Sequence, residues 1–153
     1  MMKILPLVVA LALAACAQTD TSTSSMDTAD VPAILTGAME VPPVQTTSTG
    51  RALILVADDG TVSGIVEAPG MDGATALIED DADAAVPVVV MLMPVADGRW
   101  EVPANTRLTP AQMSHHKAGK LHANVRSKAH PKGEVRAQLK SKPAAGATSA
   151  ATK

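Results

Sequence analysis

The side chains able to do chemistry in this chain are few and unevenly placed. All four histidines fall late, at His115, His116, His122 and His130. With Met113 close to the first pair they offer imidazole and thioether donors, a mix that suits copper and especially Cu(I). A metal centre needs ligands converging within about 2.0–2.3 Å of one ion. Adjacent His115 and His116 on a helix point in different directions, and the methionines more simply fill a core that has no Phe. The expectation is that no metal or other cofactor is held, with Met113, His115, His116 and His122 as the alternative ligand set. Glu79-Asp80-Asp81-Ala82-Asp83 offers oxygen ligands to Ca²⁺ but lacks the glycine and the spacing of a calcium loop. It reads instead as a solvated acidic loop. Nucleophilic catalysis has no foothold, because there is no Gly-x-Ser-x-Gly elbow, no phosphate-cradling glycine loop and no dinucleotide fingerprint. The chain is expected not to be an enzyme.

The single cysteine carries a different chemistry. Met1-Met2-Lys3 is a basic start, Ile4 to Ala12 is an apolar run of signal-peptide length, and Leu13-Ala14-Ala15-Cys16 follows. This ending resembles the lipobox of bacterial lipoproteins. The resemblance implies a signal peptide over residues 1–15 and attachment of fatty acyl chains such as palmitate at Cys16. Each buried methylene contributes about 0.8 kcal/mol, so several chains hold a protein on a membrane durably. Ala17, in place of an aspartate, implies by resemblance to Gram-negative lipoproteins an outer-membrane destination, on its periplasmic face. Residues 16–32 are rich in Ser, Thr and Asp and read as lipid anchor and flexible tether. Residues 140–153, mostly Ala, Ser, Thr, Gly and Lys, read as a disordered tail.

Residues 33–139 must therefore supply whatever positions these groups. The chain is 46% hydrophobic and 18% charged, enough for one core, yet it has one Trp and no Tyr or Phe. Without rings to stack on bases, single-stranded nucleic acid is not an expected partner. Short apolar runs separated by turn residues predict an all-β, antiparallel Greek-key or immunoglobulin-like β-sandwich with at most one short helix. The candidate strands are Ala33–Gly37, Arg51–Ala57, Thr61–Ala68, Ala74–Glu79, Pro87–Met93, Arg99–Val102, Lys120–Arg126 and Glu134–Leu139. Asp59-Gly60 and Asp97-Gly98 are hairpin signals, since Asp-Gly tolerates the positive φ of tight turns. Thr109-Pro110 followed by Gln112 predicts a helix near residues 110–117, stopped by Gly119.

The last two strands bear the most explicit pattern. Leu121, Ala123 and Val125 alternate with His122, Asn124 and Arg126, and Val135, Ala137 and Leu139 alternate with Glu134, Arg136 and Gln138. Pairing across His130-Pro131-Lys132-Gly133 sends the apolar triplets inward and makes a ladder of the six polar residues, with Arg126 opposite Glu134. Two readings of that ladder stay open, an ordinary wet face and a recognition face. Charge is also divided along the chain. Ala17 to Ala104 holds 14 acidic residues against Arg51 and Arg99, whereas Asn105 to Lys153 holds ten basic residues against Glu134 alone. Neutralisation within one small domain is favoured over a basic face for an anionic partner.

Two stretches resemble the CHRD domain, a module named after chordin and found also in bacterial secreted proteins. Leu35-Thr36-Gly37-Ala38-Met39-Glu40-Val41-Pro42-Pro43-Val44, with Gly50 further on, is similar to the family opening around Glu40, Pro42 and Pro43. Leu121-His122-Ala123-Asn124-Val125-Arg126 and then Pro131-Lys132-Gly133-Glu134-Val135-Arg136 are similar to its ending, at Asn124, Gly133, Glu134 and Arg136. The resemblance spans 33–139. It departs where relatives carry Ala-His-Ile-His, here Ala76-Leu77-Ile78-Glu79, and where Arg126 replaces a late histidine and His122 a tyrosine. If relatives hold a metal through those imidazoles, this chain has lost that set. With the lipobox, the resemblance implies a non-catalytic binding or structural domain in the cell envelope with an unidentified protein or envelope partner, while the sequence points to no nucleic acid and implies no stable oligomer. The alternative is periplasmic copper or zinc handling.

Overall fold

A computed structural model describes residues 31–83 and 87–140. Residues 1–30, which hold the expected signal peptide, Cys16 and nearly all of the expected tether, and the tail from residue 141 lie outside the described residues. Nine strands are seen among those described: β1 (Ala33–Thr36), β2 (Thr49–Val56), β3 (Val62–Glu67), β4 (Thr75–Asp80), β5 (Val88–Met91), β6 (Met93–Ala96), β7 (Arg99–Glu101), β8 (Leu121–Arg126) and β9 (Val135–Gln138). One helix, α1 (Pro110–Lys117), and a short 3-10 turn, Gly37–Met39, complete the set. The fold is all-β and antiparallel with one short helix, as the alternation and turn residues predict.

The local signals act where they stand. Asp59 accepts the Thr61 backbone N–H at 2.9 Å in the β2–β3 turn, and Asp97-Gly98 joins β6 to β7. Thr109 caps α1 by accepting the Gln112 N–H at 3.2 Å, and the Gln112 side chain accepts the Thr109 N–H at 2.9 Å. With Pro110 opening the first turn, both orphan donors are satisfied.

The strands form one sheet in the order β5-β4-β8-β9-β1-β2-β3-β7-β6. Its two outermost strands, β5 and β6, are nonetheless consecutive in sequence, separated by Leu92 alone. The chain thus steps from one end of the sheet to the other, and the sheet curls until it is nearly a barrel. Here the expectation of a single strand over Pro87–Met93 needs correction. The period-two pattern runs unbroken through this stretch, with Leu92 buried and Met91 and Met93 exposed, while the hydrogen-bonding partner changes from β4 to β7. Periodicity reports which face a side chain takes, not which neighbour its backbone binds.

Inside the curl lies an aliphatic core in which Leu35, Val66, Ile78, Leu121, Val125 and Val135 are fully buried. Val125 pairs with Val135 and Ala123 with Ala137 across β8 and β9. The inward direction of both apolar triplets follows the alternation. Trp100, the only tryptophan, closes the core beside them.

Candidate functional site

The face of β4, β8 and β9 that points away from the core is where the polar residues gather. β8 lies between β4 and β9, with Glu79 paired to His122, Leu77 to Asn124, and Asn124 in turn to Arg136. This face is not wet. His122 and Asn124 are each 3% exposed, Glu79 is 5% exposed and Glu134 7%. Of the two readings left open for the ladder, the wet face does not describe His122, Asn124 and Glu134, because both faces of β4 and β8 are covered and the polar side chains cover one another.

Glu79 is the hub of this network. Its carboxylate accepts from Asn124 Nδ2 at 2.7 Å, faces His122 Nε2 at 3.3 Å and binds the Arg126 guanidinium. His122 Nδ1 lies 3.5 Å from Asp81 Oδ1, and Asp81 binds Arg136. Gln138 donates to the Leu121 carbonyl. Glu134 does not meet Arg126, contrary to the cross-strand pair expected. It accepts from Thr46 Oγ1 at 2.8 Å and from Ser127 Oγ, tying the Gly37–Thr49 loop to the β8–β9 turn. Arg126 reaches the other way, to β4. The acidic run is likewise no solvated loop over its first half, since Glu79 and Asp80 end β4 in the interior.

Burial and pairing compete at these carboxyls. Burial works against the charge of Glu79, but the His122 hydrogen bond, the Arg126 charge and the Asn124 amide outweigh it and hold its pKa below the ordinary 4.5. At Glu134 burial is likewise outweighed, by hydrogen bonds from Ser127, Ser48 and Thr46, and the pKa is again lowered. Glu40 differs, because burial dominates and raises its pKa despite the nearby charges of Arg136, His122 and Arg126. Glu79 and Glu134, with folded values below their unfolded ones, contribute stability that is present above about pH 4.5 and lost as pH falls through the folded values. Glu40 has the opposite sign, favouring the fold while protonated, and offsets part of that loss. The urea midpoint is therefore expected to drop as pH is lowered from about 4.5 to 3. It should drop less in Glu79→Gln. An equal drop in both would remove Glu79 from the account.

The alternative metal set is dispersed. His115 Nδ1 contacts the buried Asp80 Oδ2 at 2.6 Å. His116 is buried alone, its Nδ1 without a hydrogen-bond partner, and burial followed by the Lys117 charge lowers its pKa. Met113 packs against the core, and His122 belongs to the Glu79 network. Among the described residues no group of three or more His, Cys, Asp or Glu side chains is arranged to hold a metal ion. His130 stays at the β8–β9 turn, where its carbonyl accepts from Ser127 and Gly133.

The family-motif residues are brought together more closely than their separation suggests. Glu40 lies against Gly133, where an added Cβ would stand 2.7 Å from both carboxyl oxygens. Gly133 has φ +151°, which an L side chain rarely adopts, so a glycine serves both the turn and the close approach. Asn124 and Arg136 join the adjoining network and Glu134 binds Thr46 and Ser127 next to it, while Pro42 and Pro43 stay exposed. Of the four positions at which the resemblance departs, Leu77, Glu79, His122 and Arg126, the two that carry opposite charge, Glu79 and Arg126, bind one another. Sequence reading places Glu79 and Asp81 in a solvated acidic run, marks Glu79 also as a lost imidazole, and misses the ion-pair network that both join. The signal available was the charge division, because late cations answer early anions in Arg126–Glu79, Arg136–Asp81, Lys128–Asp72 and Arg107–Asp59.

No curated protein and no solved structure matches the chain. The family model of the CHRD domain matches residues 31–139 of the 153, a span that takes in the nine strands, the buried Glu79 network and the Glu40–Gly133 contact, and the protein belongs to that family.

Proposed function

We propose that this protein is a lipid-anchored component of a bacterial cell envelope whose CHRD domain acts as a non-catalytic binding or structural module. One observation carries the non-catalytic reading. The clustered side chains with chemical capacity are engaged with each other, Glu79 with His122 and Arg126, Asp81 with Arg136, and His115 with Asp80. Outside these pairs Glu40 and His116, each with an unpartnered atom, are buried. A general base or nucleophile needs a free atom directed at a substrate. The domain also exposes several large apolar side chains, with Val41 79% and Met91 63% exposed and Ile34, Met93 and Val95 exposed as well. Exposed apolar surface of this kind suits docking.

The anchor reading rests on Leu13-Ala14-Ala15-Cys16. The expected mature form starts at an acylated Cys16 and fractionates with the outer membrane. No helix among the described residues is long and apolar enough to cross a membrane, so attachment by this route depends on the acyl chains. Cys16→Ala is accordingly expected to abolish acylation and to reduce the share of this protein in outer-membrane fractions at least several-fold. Intact-mass measurement of the mature N-terminus and density-gradient fractionation check this. An unmodified Cys16 thiol in the wild type would overturn the anchor. The binding reading is tested separately by a photo-crosslinking residue at Val41 in intact cells. A discrete adduct is expected, and its absence would favour a purely structural role.

A further inference from the structure

Beside the buried network, the segment Glu40–Val44 and the turn Ala129–Gly133 bound a cleft of about 400 Å³. Val41, Pro42, Val44 and Pro131 give it aliphatic walls. Of its lining residues only Glu40 and Gly133 are buried, and Glu40 Oε1, inaccessible to solvent, has no hydrogen-bond partner. We propose that this cleft receives the lysine side chain of a protein partner, its ammonium on the Glu40 carboxylate and its methylenes against the aliphatic walls.

A buried carboxyl without a donor is unfavourable, and a charge-assisted hydrogen bond is the interaction that relieves it. The cations nearest in influence do not supply one. Arg136 is committed to Asp81 and Arg126 to Glu79, while Lys132 stands exposed at the rim. The burial that raises the pKa of Glu40 is the same cost that an incoming cation offsets. Only Oε1 of the two carboxylate oxygens is fully buried without a partner, and a compact point-charge ammonium suits that setting better than a guanidinium, whose planar fork pairs with both oxygens of an open carboxylate. The occupant is assigned to a protein because Val41, at 79% exposure, and the exposed Pro42 and Pro43 extend the apolar surface past the cleft, where a free amine would leave them uncovered.

This inference rests on the reading of the domain as a binding module. Its test uses the full chain in detergent micelles, titrated with Nα-acetyl-lysine methylamide and followed by amide chemical shifts. Saturable shifts at Val41, Val44 and Gly133 are expected. The norleucine analogue, which keeps the methylenes and lacks the ammonium, should bind at least about ten-fold more weakly. Glu40→Gln should erase that difference. Equal binding of both probes, binding of neither, or an undiminished preference in Glu40→Gln would each overturn the lysine assignment. The norleucine comparison needs no variant, so a poorly folding Glu40→Gln does not block the test. A discrete Val41 crosslink with no lysine preference would remove the lysine assignment and leave the binding module standing.

Discussion

Replacing Glu79 by alanine is expected to lower the unfolding free energy by about 3 kcal/mol or more, a large part of the roughly 5–15 kcal/mol that a domain has. The argument is one of abandoned partners. Glu79 is 5% exposed and holds Asn124, His122 and Arg126 at once. Its removal leaves a buried imidazole and a buried amide without their acceptor. The guanidinium of Arg126 retains about a third of its exposure and can turn to water, which places the effect nearer the lower end of the range for broken buried pairs. Replacing Glu79 and Arg126 together by leucine should cost less than the alanine substitution alone, because an absent pair leaves less charge stranded. Urea titration followed by the buried Trp100 reads both, and equal losses would show that the pair is not coupled.

A second large effect is expected from Gly64→Ala, on the order of 3 kcal/mol or outright failure to fold. Gly64 lies within β3 opposite Ile54, at φ +132°. A Cβ there would stand 2.0 Å from the Leu53 carbonyl oxygen and 2.9 Å from Ile54 Cα. These are backbone atoms of the neighbouring strand, so relief requires β2 and β3 to part. Gly70→Ala separates strain from collision, since Gly70 has φ +78° and nothing within 4 Å. It should cost only about 1–2 kcal/mol, the penalty of the left-handed conformation. Similar midpoints for the two variants would mean that the β2–β3 approach is looser than described.

The comparison of these sites with the sequence shows which kinds of information are local. The helix over Pro110–Lys117 is legible because its cap, Thr109, its proline and Gln112 sit within four residues of one another. The Asp59-Gly60 hairpin is legible for the same reason. The pairing of Val125 with Val135 follows from alternation across a short turn. What alternation cannot convey is what lies over a face once its side chains have been assigned to it. His122, Asn124 and Arg136 are on the face predicted, but their burial depends on Glu79, Asp81 and Glu40, which arrive from distant stretches of chain. The partner of Arg126 escapes the sequence for a related reason. Sequence proximity points across the turn to Glu134, whereas the guanidinium lies beside β4 and finds Glu79. The split at Leu92 is invisible because side-chain period and backbone partner are independent.

The place of β9 bears on when this fold can exist at all. β9 lies between β8 and β1, and both neighbours depend on it for continuity. Without it the sheet separates into β5-β4-β8 on one side and β1-β2-β3-β7-β6 on the other. The four residues Val135–Gln138 thus act as a keystone, and among the described strands they are the last to be synthesised. A nascent chain can form the β2–β3 hairpin early, but its halves have no common sheet until Gln138 has emerged.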